Sequence, residues 1–122
     1  MPMDRFRKAV EAHDADALIA SLAEDVEFQS PIAFKPYRGR DAVGFVLRGV
    51  MNVLKDFRYT DALESDRQGA LIFEANVDGK KVDGIDLIET NDAGLVKRLT
   101  VFVRPLSAAN ALAEAMAKQL AR

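Results

Sequence analysis

Two hydrophobic periodicities divide this chain near Lys55. Before it, apolar positions mostly recur every three or four residues; after it, they alternate. Phe6, Ala9 and Val10 mark one face of a short opening helix. Leu18, Ile19 and Leu22 mark the inner face of a second, and Asp14 stands where its carboxylate can accept from the free N–H groups of a first turn. Glu27-Phe28-Gln29-Ser30 alternates and stops at Pro31, which predicts a short strand. Residues 31 to 40 read as a loop with Pro36 and Gly39 as breakers. Val43, Val46, Leu47, Val50 and Leu54 then fall at helical spacing behind Asp41, the expected cap of a third helix. Gly44 and Gly49 lower its intrinsic propensity, so packing has to hold it.

Beyond Lys55 the pattern predicts strands over 57–66, 70–77, 81–89 and 95–104. Their joins are Asp66-Arg67-Gln68-Gly69, Asp78-Gly79 and Asn91-Asp92-Ala93-Gly94. Asp-Gly favours a tight hairpin because glycine tolerates positive φ. Four strands with short joins make an antiparallel meander. Ser107 is the expected cap of a last helix over 108–122, with Leu112, Met116 and Leu120 four residues apart. Helices followed by a long sheet define an α+β fold. Such a sheet curls under its own twist, and the helices have to bury their stripes on one of its faces. The expected architecture is a curved antiparallel sheet wrapped around the N-terminal helices, a cone-shaped barrel with an internal cavity.

Composition narrows the function classes. The 122 residues suit one domain over 1–122, and a 49% hydrophobic fraction is ample for a core. With 17 basic and 19 acidic residues the net charge is -2, which gives no electrostatic case for nucleic acid. No basic cluster or long apolar run points to a membrane, and Met1-Pro2-Met3-Asp4-Arg5 lacks a signal-peptide core, so a cytoplasmic protein is expected. There is no cysteine and only one histidine, His13, so no thiolate or histidine cluster is expected to hold a metal. No glycine-rich phosphate motif is present, and no cofactor is expected.

Asp86 is the residue that points to chemistry. It interrupts the apolar strand Gly84-Ile85-Asp86-Leu87-Ile88, where a buried carboxylate is costly unless something meets it. Burial would raise its pKa and favour the neutral acid. If Asp86 points inward, strand parity turns Gly84 and Ile88 the same way and Asp83 the other. Phe6, Phe28, Phe34, Phe45, Phe57 and Phe73 are expected as core, some of them shaping the cavity. Ser30 is expected to bond the backbone at its strand end, and His13 to sit exposed in the turn before Asp14.

Two stretches resemble the nuclear transport factor 2-like superfamily, in its SnoaL-like and ketosteroid isomerase-like branch. One runs from His13-Asp14-Ala15-Asp16-Ala17-Leu18 through Glu24-Asp25-Val26-Glu27-Phe28 to Ser30-Pro31. The other runs from Ile85-Asp86-Leu87 through Ala93-Gly94 to Phe102-Val103-Arg104-Pro105. Arg38-Gly39-Arg40-Asp41-Ala42-Val43 resembles the family's lead-in to its third helix. These motifs specify the fold better than the activity, since the superfamily spans isomerases, cyclases, epoxide hydrolases, dehydratases and non-catalytic modules. In the isomerase an aspartate precedes the proline that ends the first strand; here that position is Ser30. Its oxyanion-hole tyrosine falls at Phe6, and its buried neutral acid at Asp86, a role that enzyme exemplifies. Tyr37 and Tyr59 lie elsewhere, and Lys81-Val82-Asp83 is only an echo of the epoxide hydrolase Arg-x-Asp pattern. The resemblance places Leu99, Val101 and Val103 inside the cone and Thr100, Phe102 and Arg104 on its outer face.

The resulting expectation is a protein that binds a small hydrophobic molecule. Asp86 is the candidate catalytic residue of an isomerase, cyclase or hydratase-type reaction. Phe6, Phe28, Ser30, Val46, Gly84, Ile88, Leu99, Val101 and Val103 are the candidate ligand-binding residues. The alternative is a non-catalytic binding or dimerisation module, favoured by Ser30 and Phe6. In either case the resemblance implies a homodimer through the outer sheet face, at Phe102 and Arg104.

Overall fold

The structure, a computed structural model, describes residues 3–121. Met1, Pro2 and Arg122, the expected end of the last helix, lie outside the described residues. The chain runs α1 (Asp4–Glu11), α2 (Ala15–Ala20), β1 (Leu22–Gln29), β2 (Tyr37–Arg38), α3 (Arg40–Val53), β3 (Lys55–Glu64), β4 (Gln68–Val77), β5 (Lys80–Thr90), β6 (Val96–Arg104) and α4 (Leu106–Leu120). The six strands form one open sheet in the order β2-β1-β6-β5-β4-β3. This is the α+β cone predicted from the sequence, with one correction. The sheet is mixed, because β1 pairs with β6 in parallel while β3 to β6 form the antiparallel meander.

The pairing also explains where sequence boundaries shifted. Ser21 closes α2 with its own N–H and accepts from the Val96 N–H at 2.9 Å, so β1 begins at Leu22 rather than at Glu27. The expected loop contains the short strand β2, set against Glu27 and Phe28 and tied by an Arg38–Glu27 ion pair at 2.8 Å. Asp14 caps α2 as expected, accepting from the Ala17 N–H at 3.0 Å. Asp41 does not cap α3. Gly39 holds the N-cap position with φ 93, a conformation open to glycine, and no side chain caps that helix. Its start is pinned instead by Arg40, whose guanidinium donates to the Leu22 carbonyl at 2.8 and 3.0 Å. Ser107 likewise lies inside the first turn of α4, because Pro105 already supplies the extended residue before it.

Alternation decides which face of the sheet is dry. Gly69, Leu71, Phe73, Ala75 and Val77 of β4, and Val82, Gly84, Asp86, Ile88 and Thr90 of β5, are buried on the concave face. The helices bring Phe6 and Ala9, Leu18, Val43, Val46 and Leu47, and Ala108, Leu112 and Met116 into the same core. Gly49 lets α4 approach α3 closely: a Cβ there would lie 3.1 Å from Gln119 Cγ. Phe34 and Phe45 are not core, contrary to expectation. Phe34 stands fully exposed between β1 and β2, and Phe45 shares the outer face of α3 with Asp41, Arg48 and Asn52.

Candidate functional site

The helices leave a cavity against the concave sheet, lined by Phe6 and Val10 of α1, Leu18, Leu47, Val50 and Met51 of α2 and α3, and Leu99, Val101 and Val103 of β6. Phe28, Pro31, Leu54, Phe57, Phe73 and Leu112 complete its apolar wall. It offers about 90 Å³ to the centres of water-sized molecules. One water needs roughly 10–15 Å³ by that measure, so the space holds several waters or a small ring. Its ionisable side chains are His13, Tyr59 and Asp86.

Asp86 points inward with Gly84 and Ile88 and is 7% exposed. The Tyr59 hydroxyl donates to its Oδ2 at 2.8 Å. Burial pushes the Asp86 carboxyl up to about 7, with the Tyr59 hydrogen bond pulling partly back. Tyr59 moves well above its usual value, first through burial and then through the neighbouring Asp86 charge. Tyr59 therefore remains a hydroxyl donor, while Asp86 exchanges between acid and carboxylate near neutral pH. A group with that balance can give or take a proton without extreme pH.

The two residues come from strands that are not neighbours, since β4 lies between β3 and β5. A stack of aromatic contacts holds Tyr59 over that gap. The Phe73 ring lies directly on Gly84, where a Cβ would sit 2.1 Å from Phe73 Cζ. Phe57 stacks on Phe73 at 4.8 Å between centroids, and Tyr59 meets Phe57 edge-on at 4.9 Å. On α1, the Arg7 guanidinium lies 5.8 Å from the Tyr59 ring centroid. The glycine two residues from Asp86 thus seats the stack that delivers its partner.

Of the residues singled out in the sequence, Asp86, Phe6, Phe28, Leu99, Val101 and Val103 line this cavity. Val46 and Ser30 line an adjoining one. The Ser30 oxygen accepts from the Ile32 and Ala33 N–H groups at 3.1 and 3.0 Å, the expected backbone role. Gly84 and Ile88 are buried but do not line the cavity, Gly84 because Phe73 covers it. His13 is exposed in its turn, at φ 55, yet also contributes to the cavity wall. Tyr59 is the partner that sequence reasoning left unassigned. Its alternation with Phe57 in β3 was the available signal, but parity alone does not say that the side chain reaches past a whole strand. Asp83 turns outward and pairs with Arg104 at 3.0 Å, so it forms no carboxylate pair with Asp86. Among the described residues no cluster of three or more His, Cys, Asp or Glu could hold a metal ion. No described helix is long and apolar enough to cross a membrane.

An open curved sheet, capped by helices over an apolar cavity, defines a nuclear transport factor 2-like α+β cone. Residues 3–99 match the family description of the SnoaL-like domain, and the chain belongs to that family. A steroid delta-isomerase from Pseudomonas aeruginosa is similar over 98% of this chain and 89% of its own, with 35% identity and a TM-score of 0.94. An uncharacterised protein with a cystatin-like fold from Silicibacter pomeroyi DSS-3 is also 35% identical, over 97% of this chain and 84% of its own, with a TM-score of 0.92. A nuclear transport factor 2-like protein of unknown function from Cytophaga hutchinsonii shares the fold at 19% identity, a TM-score of 0.68, and coverage of 87% and 89%. No curated protein matches the sequence.

Proposed function

We propose that this protein binds a small hydrophobic molecule carrying a carbonyl or similar acceptor, and that Asp86 and Tyr59 act on that group in an isomerase, cyclase or hydratase-type reaction. The observation that carries this reading is the 2.8 Å Tyr59–Asp86 hydrogen bond in an otherwise apolar cavity. Below about pH 7 the neutral Asp86 would donate to the acceptor; above it the carboxylate would take a proton. The similarity to a steroid delta-isomerase suggests an unsaturated ketone, and the size of the cavity makes a single-ring enone the first substrate class to try. The test is thermal-shift binding of cyclohex-3-enone, followed by absorbance of the conjugated cyclohex-2-enone product. Turnover should fall at least about tenfold in Asp86→Asn, since general acid–base groups typically contribute 10²–10⁴-fold, and less in Tyr59→Phe. Turnover that persists unchanged in Asp86→Asn rejects the catalytic role.

A second reading, a non-catalytic binding module, rests on a different observation. Among the described residues Asp86 is the one carboxylate lining the cavity, and Ser30, where the isomerase has its base, is committed to the backbone. A ligand that stabilises the fold and is recovered unchanged favours this reading.

We also propose that the convex sheet face pairs with a second copy of the chain. Ile72, Ile85 and Phe102 lie side by side across three strands there, with Phe102 55% exposed, and the Arg104–Asp83 pair flanks the row. Sedimentation should give a dimer that Phe102→Asp converts to a monomer; a monomeric parent chain overturns this.

A further inference from the structure

We infer that the cavity continues beneath α4 into a second chamber, which takes the aliphatic tail of an elongated ligand whose polar head lies at Tyr59 and Asp86. This rests on the proposed binding function for its head group. The tail site stands on separate observations.

The adjoining hollow offers about 220 Å³ to the centres of water-sized molecules, against about 90 Å³ in the first cavity. The two share Phe28, Pro31, Val50 and Leu112, so one layer of side chains separates them. Val50 of α3 and Leu112 of α4 both belong to that layer, and side chains of this kind can change rotamer without moving backbone. Behind them α4 presents Ala113, Met116, Ala117 and Leu120. Ser30, also on this wall, already accepts two backbone N–H groups, at 3.0 and 3.1 Å. What remains is mostly carbon. Such a wall recognises methylenes, and a head cavity with room for a single ring joined to it selects a chain longer than the head alone. Ala113 and Ala117 are the small side chains that α4 contributes to this wall, so bulk added there tests whether the chamber holds the tail.

The experiment compares 4-ethylphenol with 4-octylphenol, the first sized for the head cavity and the second long enough to pass the partition. Each methylene removed from water should tighten binding about threefold to fourfold. The parent chain should therefore prefer 4-octylphenol by well over tenfold. Ala113→Phe should abolish most of that preference while changing the 4-ethylphenol Kd by less than about twofold. Ala117→Phe, at a more exposed position on the same wall, repeats the test if Ala113→Phe does not fold. Equal affinity for the two phenols in the parent chain overturns the second chamber, and so does a preference that survives in either folded variant. A parent chain that binds neither phenol rejects the head site, and this inference falls with it.

Discussion

Asp83 and Asp86 lie three residues apart on β5 and meet opposite solvents. Asp83 points to the convex face, where Arg104 of β6 reaches it at 3.0 Å in partial contact with water. Asp86 points to the concave face, where its partner is a neutral hydroxyl and its surroundings are apolar. Beside its apolar row the convex face meets charge with charge: Glu74 lies between Arg58 and Lys81, and Arg98 between Glu27 and Glu89. The concave face admits one acid and supplies no cation to it. Exposed pairs of the first kind are worth little. An acid of the second kind resists ionisation, and that resistance gives it a use.

The largest expected effect tests the concave half of this contrast. Asp86 keeps its proton in the folded state up to about pH 7, whereas the free side chain loses it near 3.8. Its contribution to stability is thus fully present below the unfolded value and is lost as pH rises through the folded one. Stability should fall by about 1.4 kcal/mol per pH unit across that window, on top of the titration of other groups. Asp86→Asn should remove this slope, matching the parent chain near pH 4 and exceeding its stability at pH 8 by a few kcal/mol. Urea unfolding at the two pH values checks it; parallel profiles for the two chains would mean that Asp86 is not held neutral.

Gly84→Ala should come next. Its Cβ would collide with a Phe73 ring that is itself backed by Phe57, so the ring has little room to retreat. A loss of about 3 kcal/mol is expected from such overpacking. The displaced stack should also loosen the Tyr59 contact and raise the Asp86 titration point, which can be followed by carboxyl-carbon NMR. An unchanged stability would show that Gly84 is not the seat of the stack.

The smallest effect is expected on the convex face. Asp83→Asn should shift unfolding free energy by no more than about 1 kcal/mol, in line with exposed ion pairs, and leave the Asp86-driven slope in place. A larger loss, read by the same urea titration, would mean that the two faces of β5 are less different than their surroundings imply.

Much of this contrast was legible in the sequence. Period-two alternation placed Asp86 and Asp83 on opposite faces, and the helical stripes identified the elements that bury one of them. The neighbours of Asp86 were only half legible. Val101 was placed inside by the family resemblance, and the structure sets it directly opposite Asp86 on β6. Gly84 follows from parity as inward, but not as the seat of a ring from β4. Asp41 and Ser107 were misread as caps because residue type alone does not reveal that Gly39 and Pro105 already hold the boundary conformations. Phe34 and Phe45 were misread as core because aromatic residues are buried on average, and that average says nothing of a loop tip or an outer helix face.

The order of elements, the face on which each strand residue lies and the lone acid among apolar neighbours were determined by the chain's own periodicity, because they depend on backbone geometry of two and 3.6 residues per repeat. The meeting of Tyr59 with Asp86 across β4, the parallel seat of β1 beside β6 and the chamber under α4 were decided only by the folded whole. They join residues far apart in the chain through sheet curvature and side-chain packing, and no local repeat carries that information.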